Sequence, residues 1–414
     1  MAKEFEALVV KVFKAGHIWS NSTRVFPENF RGSALVVENG TVKDILVGHT
    51  PHCSFSEVHQ WEDSLIVPGF TNAHTHLELS FMRGKAPFRG SLIHWLLWVG
   101  MRRGIKSRRG LEESVAMGLS ESLRSGTTLL SETFTSDFTL SSLGRSPVSI
   151  RAFLEVMGMR PLEASETFEG VLGRLERLPE TSLLGLAPHA PYSCSERLIQ
   201  LCYETGLPIS IHVVEDPEEL EFLEMGTGPI ARLLKTTRIL PKSWEPPRLS
   251  GVEFLARLGV LSSRTILVHA NYVTENDADL IANSGASVVF CPRSHRFFCH
   301  KRYPLKMFLT RGVNVALGTD SLASNWSLSI LEEMRFVKEN YPETQPSVIL
   351  KMATESGAQA LGLSQTKGRL TPGSSADFAV LTPPDPDASP WSALFDSRTK
   401  VAATIIGGKL YNFN

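Results

Sequence analysis

At 414 residues, 42% of them hydrophobic and 21% charged, the chain has the composition of a globular protein with a sizeable core, long enough for one large α/β barrel or several ordinary domains. Its 42 basic and 43 acidic residues nearly cancel, which leaves no electrostatic footprint for nucleic acid or an anionic membrane surface, so the expected partner is a small molecule. No apolar run in the sequence nears the roughly 18 residues needed to span a bilayer, and the five cysteines suggest neither a disulfide framework nor a C-x-x-C site.

In chain order, the N-terminal stretch "MAKEFEALVVKVFKAGHIWS" has acids among its first residues and only a short apolar run. That argues against a signal peptide and for a cytoplasmic protein with reduced thiols. Residues 5 to 66 carry short alternating pieces, "ALVVKVFKAG" and "GSALVVENGTVKDILVG", the second with a hairpin signal at Asn39-Gly40. From residue 65 onward the pattern changes. Apolar, β-branched runs now alternate with helical stretches such as "GLEESVAMGLSESLRSG". The strands are read at "LIVPGFTNAH", "GTTLLSETF", "SIRAFLEVMG", "SLLGLAPHA", "PISIHVVE", "TILVHANYV", "ASVVFCPRS" and "VNVALGTDS". Continuous apolar strands covered by helices predict a parallel sheet, and eight of them predict a TIM (β/α)8 barrel over residues 67–367. A doubly wound open sheet is the alternative, but no G-x-G-x-x-G follows the first strand. Residues 368–414 return to short alternating pieces, "SADFAVLTP" and "KVAATIIGGKLYNFN". Neither flank can bury a sheet face by itself, so 1–66 and 368–414 are expected to join in one small composite β-sandwich beside the barrel. A Pro-rich insertion from Lys235 to Gly251 follows the fifth barrel strand and reads as a loop over the barrel mouth.

The polar residues fall at the C-terminal ends of the predicted strands, where such barrels carry their chemistry. His74 and His76 are two apart, so along a strand they face the same way and can converge on one ion. Other ends carry His189, His212 with Glu215, His269, His295 and Asp320. A lone strand-end histidine is usually structural, but histidines at five ends with an aspartate at a sixth make a constellation. Imidazoles with one carboxylate and an open position suit a single Zn2+ or Fe2+ ion rather than calcium or magnesium. The ligands are assigned as His74, His76, His212 and Asp320. The fourth strand ends in "LAPHAPYS" without a lysine to bridge a second ion, so one metal per chain is expected.

These residues resemble the amidohydrolase superfamily, in its mononuclear branch of nucleoside and base deaminases and triazine hydrolases. The resemblance runs through "PGFTNAHTH", "HAPYS", "HVVE", "VHAN", "CPRSH", "GTDS" and "GRLTPGSSADFAVL". It implies Glu215 as proton shuttle and His269 as the group beside the activated water. Relatives usually have Asn where this chain has His295. Asp320 is read as a base as well as a ligand, and His189 as a substrate contact. Glu215 lies three residues beyond His212, which would face away in an ideal strand, so the strand must turn there. "THLELS", "GSLIHWLLWVGMRR" and "SLASNWSLSILEEMR" look most like the aminofutalosine deaminases of menaquinone biosynthesis. The implied activity is hydrolytic deamination of an adenine nucleoside, with 6-amino-6-deoxyfutalosine first. Alternatives are S-adenosylhomocysteine or adenosine deamination, cytosine or guanine deamination, triazine-type chlorohydrolysis, or a silent scaffold, the last opposed by the intact constellation. Glu78 is a candidate for ribose hydroxyls, with Arg89, Trp95, Arg293 and His295 as further substrate contacts. A homodimer is compatible with the sequence, which does not fix the assembly.

Overall fold

The computed structural model describes residues 10–19, 32–46, 56–88, 90–177 and 183–412. Four strands come first: β1 (Val10–Ile18), β2 (Ser33–Glu38), β3 (Thr41–Leu46) and β4 (Glu57–Pro68). The eight expected barrel strands follow as β5 (Phe70–Thr75), β6 (Thr127–Phe134), β7 (Ser149–Val156), β8 (Leu183–Pro188), β9 (Ile209–Val213), β10 (Thr265–His269), β11 (Ser287–Phe290) and β12 (Asn314–Leu317). The chain ends with β13 (Phe378–Thr382), β14 (Lys400–Ile406) and β15 (Lys409–Asn412).

Strands β5 to β12 pair in sequence order, every pair parallel. The first and last are joined by side chains: Asn72 Nδ2 donates to Thr319 Oγ1 at 2.7 Å, and the Thr319 N–H donates to Asn72 Oδ1 at 3.0 Å. Alternation then sorts the side chains. Leu129, Phe153, Ala187, Val268 and Val289 fill the barrel interior, while Leu130, Leu154, Val156 and Leu186 pack outward under the helices.

Segments from both ends of the chain meet in a second sheet, of order β15-β14-β13-β4-β1-β2-β3. The expected composite is thus a seven-stranded mixed sheet in which β4 pairs with β1 in parallel and with β13 antiparallel. The run Leu65–Val67, read from sequence as the start of the first barrel strand, belongs instead to β4. Both faces of β4 are covered there: Leu65 and Val67 join the main core, and Ile66 joins Phe13, Leu35, Phe378 and Ile405 in a second one. The barrel begins after Gly69, where a Cβ would stand 2.1 Å from Thr128 Oγ1, so only glycine lets the chain cross so close to β6. Among the described residues no helix is long and apolar enough to cross a membrane.

Candidate active site

The site begins at the end of β5. His74 is fully buried, and its Nε2 lies 3.3 Å from His212 Nε2 at the end of β9. Asp320 Oδ1, just past β12, is 3.8 Å from both His74 Nε2 and His76 Nε2. Two overlapping donor sets share His74, namely His74, His212 and His269, and His74, His76 and Asp320, with ligand atoms in each set within 4.8 Å of one another. Ligands about 2.1 Å from a tetrahedral ion stand about 3.4 Å apart, so this spacing fits one divalent cation with nitrogen and oxygen donors. The chemistry of the donors fits as well. Burial, then neighbouring His76 and His212, holds His74 well below the usual histidine range, and burial brings His212 to about 4 and His269 to about 3. All three are therefore neutral and free of a competing proton near pH 7.

Asp320 stays ionised. Burial would raise its carboxyl, but His269 and His76 and hydrogen bonds from Ser324 and Ser294 outweigh it and hold it below the ordinary value. Both hydroxyls donate to Oδ2 at 2.7 Å, which leaves Oδ1 for the histidines. The Asp320 N–H donates to the His74 carbonyl at 3.1 Å, fixing the two ligands to each other. Asp320 takes φ of +58°, an uncommon conformation for a residue with a side chain and one that gathers at functional sites.

The turn expected after His212 is present. Val214 has φ of +51°, which is strained for a β-branched residue, and it swings Glu215 back toward the barrel axis. Glu215 Oε1 is then 3.5 Å from His269 Nε2. Backbone bonds fix the elbow, with the Glu215 N–H donating to Glu219 Oε2 at 3.0 Å and Asn271 Nδ2 donating to the Glu215 carbonyl at 2.9 Å. Burial first, then the negative neighbours Asp320, Glu219 and Asp216, push the Glu215 carboxyl well above the usual range, which favours its protonated form. A buried acid with a raised pKa thus faces a neutral imidazole beside the histidine cluster.

The remaining candidates separate by position. His189, at the end of β8, packs 5.1 Å from the His212 ring, and its carbonyl lies 2.9 Å from His212 Nδ1, the nitrogen turned away from the cage. Its own Nδ1 is 2.7 Å from Ser193 Oγ. Glu78 requires a correction. Oε2 takes both Arg103 Nε at 2.9 Å and Arg103 Nη2, and Thr135 Oγ1 at 2.9 Å; Oε1 takes the Ser136 N–H at 3.1 Å and Thr139 Oγ1 at 2.5 Å. Five donors saturate the carboxylate, so its ion pair with Arg103 replaces the expected ribose contact. Trp95 is buried edge-on to Phe298 at 4.9 Å and acts in packing. Arg293 binds Ser327 Oγ at 3.0 Å and lies 3.9 Å from buried Glu333. His295 is buried on the short helix Pro292–Phe297 against Phe290 and His300, outside the ligand cage. Arg89 lies outside the described residues. The Lys235–Gly251 insertion packs Trp244 face to face on Phe222 at 4.6 Å.

Sequence reasoning missed three supports: Ser294 and Ser324 behind Asp320, and Glu132 on β6. Glu132 lies 2.8 Å from Thr75 Oγ1 and accepts the Leu77 N–H at 2.9 Å, gripping the backbone on either side of His76. An acid at a strand end, "LLSETF", was the available signal.

Residues 65–411 match the family model described as Amidohydrolase family. The chain is 34% identical over 315 residues to the aminodeoxyfutalosine deaminase of Deinococcus radiodurans, covering 72% of this chain and 74% of that protein. It is 29% identical over 371 residues to a 5-methylthioadenosine/S-adenosylhomocysteine deaminase of Pyrococcus furiosus, covering 84% of this chain and 82% of the relative. The crystal structure of Helicobacter pylori aminofutalosine deaminase in complex with methylthio-coformycin aligns with a TM-score of 0.82 at 23% identity, over 97% of this chain and all of that one, which supports the fold. With the eight-stranded barrel and its histidine cage, these matches show that the chain belongs to the amidohydrolase family and is a hydrolase acting on C–N bonds.

Proposed function

We propose that the protein deaminates an adenine nucleoside by hydrolysis, with 6-amino-6-deoxyfutalosine as its best substrate. The observation that carries the reading is Glu215, its carboxyl pKa raised by burial, held 3.5 Å from His269 beside the candidate ligand cluster. Replacing an exocyclic amine by oxygen needs a nucleophilic water at C6, a proton on N1 and a proton for the leaving ammonia. His74, His76, His212 and Asp320 would hold one divalent ion, zinc or iron(II), which when bound brings water toward a pKa of about 7. Asp320, kept ionised, can accept a proton from the attacking water. Glu215 gives its proton to N1, making C6 electrophilic; the proton taken up by Asp320 passes to the amine as the C–N bond breaks, and the remaining hydroxyl proton restores Glu215 as the C6 carbonyl forms. His269 steadies the polar centre in a site from which bulk water is largely excluded. His189 borders the chamber as a substrate contact.

The choice of nucleoside is supported by the Deinococcus relative's name and by the sequence motifs. The Pyrococcus relative's name favours a second arm, a 5′-thio-substituted adenosine. The test is ammonia release by the metal-loaded enzyme from 6-amino-6-deoxyfutalosine, S-adenosylhomocysteine, 5′-methylthioadenosine, adenosine, cytosine, guanine and a chlorotriazine. The expected order of kcat/KM puts aminodeoxyfutalosine first and the other adenine nucleosides next. A free base or the triazine exceeding all nucleosides overturns the reading.

A further inference from the structure

Glu155 was not among the residues suggested by sequence, yet its place in the barrel is telling. On β7 the outward-facing Leu154 and Val156 belong to the core beneath the helices, whereas Phe153 fills the barrel interior with Leu129 and Ala187. Two residues beyond Phe153, Glu155 therefore points inward, one layer nearer the catalytic end. The register sets it beside Ala187 on β8, and His189 stands two residues further along that strand. Among the interior residues of β7 it alone is acidic, and unlike its buried neighbours Leu154 and Val156 it keeps partial exposure. Its carboxyl makes no hydrogen bond or close ion pair with any described residue.

The surroundings are polar but occupied. Glu78 and Arg103 act electrostatically on Glu155, but their own groups are committed to each other and to Thr135, Ser136 and Thr139. Tyr192 also feels the Glu155 charge, and its buried hydroxyl has no partner among the described residues. Glu155 is thus a part-buried carboxyl with both oxygens unbonded, facing the barrel interior beside the strand that leads to His189.

Building on the nucleoside reading above, we propose that Glu155 binds the vicinal hydroxyls of the substrate ribose, the role that sequence pattern alone gave to Glu78. A carboxylate can accept one O–H on each oxygen, which matches the two hydroxyls of a cis-diol. Burial, followed by the Glu78 charge, brings the Glu155 carboxyl up to about 7, and two donated hydrogen bonds favour its ionised form on binding. A site built to receive hydroxyls discriminates strongly against a substrate lacking one.

The experiment compares adenosine with 2′-deoxyadenosine, using the metal-loaded wild type, Glu155→Gln and Glu155→Ala, with thermal unfolding and bound metal measured for each. The wild type should prefer adenosine by about tenfold or more in kcat/KM, and both variants should lose most of that preference, mainly through KM for adenosine. Gln keeps the size of Glu, so it serves if Ala does not fold. A variant that keeps the wild-type preference, or that slows both nucleosides equally, overturns the role of Glu155. A wild type that releases ammonia from neither nucleoside, nor from any 5′-substituted relative, overturns the nucleoside reading itself and this assignment with it.

Discussion

Glu132 offers a sharp test of how the ligand cage is held, because its carboxyl grips the chain on both sides of His76. Its two oxygens receive the Leu77 N–H at 2.9 and 3.0 Å, and Oε2 is 2.8 Å from Thr75 Oγ1. Thr75 Oγ1 is also 2.6 Å from the Ser131 carbonyl, and its single proton can serve only one of these acceptors well. If the carbonyl takes it, Glu132 must be protonated and donate to Thr75. Burial supports this by pushing the Glu132 carboxyl well above its usual range, against the opposing hydrogen bonds from Thr75 and Leu77. Glu132→Gln preserves the arrangement, with the amide N–H donating to Thr75 and the amide oxygen accepting from Leu77, so metal affinity should stay within about threefold of wild type. Glu132→Ala leaves the Leu77 N–H unpaired in a dry site, costing about 1–3 kcal/mol of stability. It also frees the segment bearing His76, which should weaken the metal by about 10- to 100-fold, the range for losing an outer partner of a ligand. Competition with a chelating dye measures the affinity, and thermal unfolding of metal-stripped protein measures the stability. If Gln weakens the metal as much as Ala does, the neutral-acid reasoning is wrong; if Ala leaves affinity unchanged, the clamp does not position His76.

Glu215→Gln should bind substrate with little change in KM while kcat falls about a hundredfold or more, as expected for loss of a general acid, and near-wild-type turnover would show that another group carries the proton. Arg103→Ala leaves Glu78 buried and ionised without its cation, so unfolding by urea should show a loss of about 3 kcal/mol, with rescue on adding Glu78→Gln; a loss below about 1 kcal/mol would mean that the hydroxyls alone suffice. Metal uptake should resist mild acid. Since His212 titrates near 4 rather than 6.5, protons compete for it only as pH falls toward 4, and affinity should change little between pH 7.5 and 5.5. An ordinary histidine would be about nine-tenths protonated at pH 5.5, so a tenfold loss across that interval, followed by dialysis and metal analysis, would contradict the burial argument.

Much of the architecture was legible because it rests on local period. Strand alternation alone brings His74 and His76 to one side, and the three-residue step from His212 to Glu215 demanded the turn that Val214 supplies at φ of +51°. Continuous apolar runs between amphipathic stretches marked all eight barrel strands. The same signal misled at Leu65–Val67, because an apolar run buried on both faces looks alike in either sheet, and the β13 partner that claims it arrives more than 300 residues later in sequence.

The sequence by itself determined which donor-bearing residues stand at the strand ends and how they are spaced within each strand, since these depend on residue identity and on a backbone repeat of two. What it could not determine was which carboxylates are spent and which are free. Glu78 follows the His74-x-His76 pair directly, yet Arg103, on a helix one loop away, takes its charge, and Thr135 and Thr139 occupy its remaining lone pairs. Glu155 sits in an unremarkable strand and remains unpaired because register turns it into the barrel beside Ala187, away from those donors. A carboxylate's role depends on its partners and its burial, and both are set by strands and helices distant in sequence that only the closed barrel brings together.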